Sequence, residues 1–213
     1  MIGRMGFQFR KCWLRVVVCL GLMVVISRGT TVLVLGDSLA AGLGVEREEA
    51  FPSVVQELAK KDGKEIEVIN GGVSGDTSAG GLRRIGWLLN RPVDVLLLEL
   101  GANDGLRGIA PESTASNLQG IIDAARKKYP EVLVVVAGMK MPPNLGEEYG
   151  AKFEAVFPAL AKKNDAALVP FLLEGVGGVP EFNQGDRIHP NAEGHRILAG
   201  NVWVVLKNVL EEG

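Results

Sequence analysis

Val32-Leu33-Val34-Leu35-Gly36-Asp37-Ser38-Leu39 is the stretch on which the fold of this 213-residue chain turns. Four consecutive aliphatic residues without period-two alternation read as a strand buried on both faces, the pattern of a parallel sheet covered by helices. The glycine closing the run permits a tight strand-to-helix turn. Comparable runs at 66–69, 93–100, 132–137 and 166–169 bring the number of expected strands to five. Helix signals fill 51–61, which stops before Gly63, and 77–89, which starts beside Asp76. They also fill 111–128, with Pro111 in its first turn and Arg126-Lys127-Lys128 in its last, and 191–210, preceded by Pro190. Alternating β and α with short connections predicts an α/β domain: a three-layer sandwich around a five-stranded parallel, doubly wound sheet.

Residues 1–29 read as a separate segment. Arg4, Arg10, Lys11 and Arg15 precede an apolar run at 16–26, and Ser27-Arg28-Gly29 follows, the layout of a secretory signal peptide. The run is shorter than the roughly 20 residues of a membrane span. The segment is expected to be a signal peptide or an uncleaved N-terminal anchor, with export to the periplasm or beyond, and 30–213 to form the domain. It holds 5 of the 23 basic residues and none of the 25 acidic ones, so the remainder carries 18 basic against 25 acidic groups, or −7. An acidic body without a Lys/Arg run argues against nucleic acid as a partner. A small ester or lipid-like substrate fits better, with no stable membrane span in the mature form and a monomeric state expected. Both cysteines, Cys12 and Cys19, lie in the first segment, which leaves the domain without a disulfide or thiol nucleophile.

The polar motifs all fall where strands end. Gly36-Asp37-Ser38 follows the first strand, Asn70-Gly71-Gly72-Val73-Ser74-Gly75-Asp76 the second and Gly101-Ala102-Asn103-Asp104 the third, while Asp186-Arg187-Ile188-His189 lies beyond the fifth. Open α/β sheets bind ligands outside the carboxyl ends of their strands, so these residues are expected to converge. A serine hydroxyl is a poor nucleophile at its free pKa, and needs an imidazole to take its proton and a carboxylate to orient that imidazole. Ser38, His189 and Asp186 supply the three. With only His189 and His195 in the chain the base is nearly forced, and His195 is left as a surface or packing residue. The oxyanion formed on attack needs donors aimed at it; the Asn103 amide and the backbone N–H groups of Gly75 and Ser38 are the candidates. Each motif alone has a plainer reading: a helix cap at Asp37-Ser38, a turn at Asn103-Asp104-Gly105, a helix start at His189-Pro190. Ser74 is a rival nucleophile.

Other chemistries fit less well. Residues 36–44 match neither G-x-G-x-x-G nor the P-loop pattern, and Ala40 stands where a G-x-S-x-G elbow needs glycine. The two histidines lack zincin spacing, so no metal and no cofactor are expected. Glu99, charged inside an otherwise apolar run, has no place in this scheme beyond a carboxylate hydrogen-bonded near the site or at a strand end.

Gly36-Asp37-Ser38-Leu39, the loop with Gly75, Gly101-x-Asn103-Asp104 and Asp186-x-x-His189-Pro190 appear in the order of the SGNH, or GDSL, hydrolase blocks, and the chain after residue 29 resembles that family throughout. Ser74-Gly75-Asp76-Thr77-Ser78 and Asn103-Asp104-Gly105-Leu106-Arg107-Gly108 look most like its bacterial periplasmic thioesterases, lysophospholipases and arylesterases. The resemblance implies the flavodoxin-like fold of the family, a Ser38-Asp186-His189 triad and an oxyanion hole of Ser38, Gly75 and Asn103. Ala102 departs from the subgroup's usual glycine. The resemblance also suggests an acyl chain lying against 139–145, with Met141 and Leu106 as substrate contacts; alternatively Met141 and Leu145 only seat the following helix. The expected activity is a serine esterase acting on aryl, acyl, thio or lysophospholipid esters, the alternatives being a polysaccharide deacetylase or a catalytically silent ligand-binding protein on the same scaffold.

Overall fold

The computed structural model of the protein describes residues 29–212. The expected signal or anchor segment, 1–29, lies outside the described residues except for Gly29.

Five strands form one parallel sheet in the order β2-β1-β3-β4-β5: β1 (Thr30–Gly36), β2 (Ile66–Gly72), β3 (Val95–Glu99), β4 (Leu133–Ala137) and β5 (Ala167–Val169). After β1 the chain steps to one side for β2, then returns across β1 to build β3, β4 and β5. The order reverses between β1 and β3, which opens a crevice at their carboxyl ends. β1 and β3 are central and solidly apolar, with Leu33, Leu35, Leu96 and Leu97 excluded from solvent. The edge strands depart from the expectation of burial on both faces: β2 alternates between half-buried and exposed, and most of β5 is half-buried. With a neighbour on one side only, each needs fewer apolar residues.

The helices are α1 (Ser38–Ala41), α2 (Phe51–Lys61), α3 (Ser78–Leu88), α4 (Ala102–Leu106), α5 (Pro111–Lys128), α6 (Glu147–Lys163) and α7 (Ala192–Glu212). α2 packs on α7, while α3, α5 and α6 pack in succession, giving a helical layer on either side of the sheet. The four helices expected from sequence are all present, with α3 capped by the Thr77 hydroxyl, which accepts the Gly80 N–H at 3.2 Å. The helix expected after Leu145, without bounds, is α6, whose pattern is broken by Gly150 and Pro158. Pro158 has no N–H to give the carbonyl four residues back, but that residue, Glu154, is exposed and its carbonyl can turn to water. Phe153 and Phe157 hold the helix down, meeting edge-on with centroids 5.6 Å apart.

Candidate active site

The turn after β1 is built to leave one N–H unclaimed. Asp37 caps α1: its Oδ1 accepts the Leu39 N–H at 3.1 Å, and its carbonyl accepts the Ala41 N–H at 2.9 Å. Glu99 Oε2, arriving from the end of β3, accepts the N–H groups of Asp37 and Ala40 at 3.1 and 3.3 Å. The Ser38 N–H is left without an acceptor among the described residues.

His189 joins Ser38 to Asp186. Its Nδ1 donates to Asp186 Oδ2 at 2.6 Å, so Nε2 is the acceptor for the Ser38 hydroxyl 3.1 Å away. Between them Arg187 takes φ 60°, the sharp turn that lets two side chains three residues apart face each other. Asp186 Oδ1 accepts the Ile188 and His189 N–H groups at 2.9 and 3.0 Å. The imidazole first, and these amides second, hold the Asp186 carboxyl far below the usual carboxylate range. Asp186 is therefore charged at neutral pH.

Asn103 enters from α4. One hydrogen of its amide goes to Asp37 Oδ2 at 3.1 Å, which orients the group and leaves the second hydrogen for a ligand. Gly75 stands in the loop after β2 at φ 79°; its carbonyl is held by Arg107 Nη2 at 2.9 Å, and its N–H meets no acceptor among the described residues. Ala102 is accommodated because the unusual φ of 124° falls on Gly101, one residue earlier, and Ala102 opens α4 as an ordinary helical residue.

Ser74, the rival hydroxyl, is exposed and bonds to neither histidine. His195 is a packing residue rather than a surface one: it is 1% exposed, and its Nδ1 accepts the Phe51 N–H at 3.2 Å. Burial pulls it down to about 4. Met141 is half-buried against the core and lies over Gly105 of α4, so the 139–145 loop braces the helix that carries Asn103. Leu106, on the same helix, is exposed.

Three positioning groups escaped the sequence reading. Asp104, fully buried, accepts the Ser78 N–H at 2.8 Å, the Ser78 hydroxyl and the Thr114 hydroxyl, which ties α4 to α3 and α5. Arg84 spreads one guanidinium over Asp76 Oδ2, the Gly71 carbonyl and the Gly36 carbonyl, at 2.6, 2.5 and 2.8 Å, and so gathers the ends of β1 and β2. Asp104 lies inside the Gly101-x-Asn103-Asp104 block but was given no role, and Arg84 carries no motif, since two of its three partners are backbone carbonyls that folding alone brings near. Gln184 is the third: its amide reaches the Leu43 carbonyl at 2.6 Å and pins the His189 loop to the turn after α1.

The chain matches the model of the GDSL-like lipase/acylhydrolase family over residues 34–197. It is 41% identical over 195 residues to the esterase TesA of Pseudomonas aeruginosa, spanning 90% of this chain and 96% of that one. A crystal structure of TesA superposes with a TM-score of 0.80 at 41% identity, over 84% of this chain and 99% of the other. Thioesterase 1/protease 1/lysophospholipase L1 of Escherichia coli K12 is 38% identical over 170 residues, 79% of each chain. The psychrotrophic esterase EstA of Pseudoalteromonas, solved with monoethylphosphonate as inhibitor, superposes at 0.80 with 30% identity, over 85% of this chain and 99% of that one. The chain belongs to the GDSL-like lipase/acylhydrolase family and is a serine-type carboxylic ester hydrolase.

Proposed function

We propose that Ser38 is the nucleophile, His189 the general base and acid, and Asp186 the group that fixes the imidazole tautomer, with Ser38 N–H, Gly75 N–H and the Asn103 amide receiving the oxyanion. The observation that carries this is the unbroken hydrogen-bonded chain from the Ser38 hydroxyl through both nitrogens of His189 to Asp186. On attack Ser38 Oγ bonds to the ester carbon as its proton passes to Nε2; on collapse the leaving oxygen or sulfur takes that proton and departs. Water then repeats the cycle on the acyl-serine and releases the acid.

The substrate we infer is an apolar acyl or aryl ester, with thioesters and lysophospholipids included, since acyl transfer to serine places few demands on the leaving group. Four of the exposed large apolar residues support this: Leu43, Val73, Leu106 and Ile188 all lie on the segments that carry the site. The names of the Escherichia coli relative, thioesterase and lysophospholipase, agree with that range. The leader-like residues 1–29 support export, and a site drawn entirely from one chain supports action as a monomer. No helix among the described residues is long and apolar enough to cross a membrane.

A fluorophosphonate is expected to label Ser38 alone, as mapped by mass spectrometry, and Ser38→Ala to lose activity on p-nitrophenyl esters of every length. Labelling at Ser74, or activity retained in Ser38→Ala, would overturn the assignment.

A further inference from the structure

Glu99 is the charged residue that the site does not explain. It ends β3 with no solvent exposure, in register beside Gly36. Its Oε2 is accounted for by the Asp37 and Ala40 N–H groups, while Oε1 is buried without a hydrogen-bond partner. An orphaned carboxylate oxygen in the core bears the full penalty for burying charge without a partner. The arrangement becomes favourable if the orphan carries a proton, because a carboxylic acid donates where a carboxylate can only accept. The acceptor to hand is the carboxyl of Asp37, a residue equally buried whose own N–H already donates to Glu99 Oε2 at 3.1 Å. Asp37 in turn receives Leu39 N–H on Oδ1 and Asn103 Nδ2 on Oδ2.

We propose that Glu99 is a positioning residue for ester hydrolysis: a buried carboxylic acid that keeps its proton, donates it to the Asp37 carboxylate, and through Asp37 fixes both the turn bearing Ser38 and the amide of Asn103. The two ends of the relay serve the two halves of the reaction. At one end Glu99 Oε2 gathers the N–H groups on either side of the serine turn, so that Ser38 alone presents its N–H outward. At the other, Asp37 decides which way the Asn103 amide points. Gly36 is required for the approach, since a Cβ there would lie 2.3 Å from Glu99 Oε2.

The electrostatics agree with the geometry. Burial first, and the charge of Asp37 second, push the Glu99 carboxyl well above its usual range; burial likewise pushes Asp37 up to about 6. Two adjacent buried carboxyls cannot both ionise cheaply, so the pair holds one proton at neutral pH. The charged groups facing the pair are His189 from the last loop, which favours the Asp37 anion, and Asp76 from the loop after β2, which opposes it. Arg84, from α3, reaches the Gly36 carbonyl beside them. Ionisation of Glu99 at alkaline pH would set two anions against each other beneath the serine turn and release Asn103.

This inference rests on the proposed role of Ser38 and Asn103, but its test is separate. Glu99→Gln places an amide where the acid stood: its NH2 donates to Asp37, its oxygen accepts the two N–H groups, and it cannot ionise. The native enzyme is expected to show an alkaline fall in kcat, and the variant to keep kcat within about threefold of native at neutral pH with KM unchanged and to lose that fall. Infrared difference spectra at neutral pH are expected to show the carbonyl band of a protonated buried acid in the native protein and not in the variant. Asp37→Asn, which removes one of the two acceptor oxygens, is expected to lower kcat about tenfold or more with KM changed less than threefold. An absent acid band, an alkaline limb unaltered by Glu99→Gln, or an unchanged kcat in Asp37→Asn would each overturn the proposal. Loss of the acyl-serine intermediate in Ser38→Ala tests the proposed function alone and is indifferent to Glu99.

Discussion

At the scale of single residues, the site separates groups that react from groups that aim them. Asn103 is the clearest of the second kind to measure, because one amide hydrogen is spent on Asp37 and leaves the other for the developing oxyanion of the proposed mechanism. An interaction that strengthens only in the transition state shows in kcat and not in KM. Asn103→Ala is therefore expected to lower kcat by ~10²–10³ with KM changed less than about threefold, read from initial rates on a p-nitrophenyl ester. A rise in KM with kcat unchanged would make Asn103 a ground-state binding residue. The residues of this site were legible in sequence wherever chemistry demands a particular type: a lone usable imidazole, a carboxylate three residues from it, a serine closing a strand. The roles of Asp104, Arg84 and Gln184 were not legible, because each depends on a partner distant in sequence, 26, 48 and 141 residues away.

At the scale of elements, α2 and α7 are joined by a hydrogen bond that sequence patterning did not reveal. The first turn of α2 has orphan N–H groups, and Ala50 at its N-cap offers no side-chain acceptor. His195 of α7 fills the gap by accepting the Phe51 N–H at 3.2 Å, a role open only to a neutral imidazole. Its pKa falls from 6.5 when unfolded to about 4 when folded, so between those values the unfolded chain binds the extra proton and stability falls as pH drops. For the full shift the loss from pH 7 to pH 5 is about 2 kcal/mol. His195→Gln keeps an acceptor and removes the titration. Unfolding free energies from urea titrations at the two pH values are expected to fall less in this variant than in the native protein by about that amount; equal falls would mean that His195 titrates normally. The helices themselves were readable where caps and periodicity agree, and the bounds of α6 were not, because Pro158 and Gly150 obey local rules that the packing of Phe153 and Phe157 overrides.

At the scale of the whole molecule, the proposed mechanism depends on a contact between the two ends of the domain: Ser38 and His189 are 151 residues apart in sequence and 3.1 Å apart in the fold. The β1 half of that contact is embedded in the sheet. The other half hangs on the segment after β5, which is anchored in the core by Leu172 and Val176 and then runs exposed from 185 to 188. Asn183 holds that segment to the Val176 and Val179 carbonyls at 2.7 Å, and Gln184 holds it to the Leu43 and Pro190 carbonyls at 2.6 and 2.9 Å. A few hydrogen bonds worth ~1 kcal/mol each set a local opening energy below that of the global core. Activity is accordingly expected to vanish at a lower urea concentration than the far-ultraviolet circular dichroism of the sheet and helices. Gln184→Ala removes two of the bonds and is expected to widen the gap, lowering kcat about tenfold because a displacement near 1 Å at the base is enough to do so. Its thermal midpoint is expected to move by only a few degrees. If activity and circular dichroism instead disappear together in both proteins, the His189 loop belongs to the global folding unit, and its hydrogen bonds to Leu43 are incidental to how the triad is held.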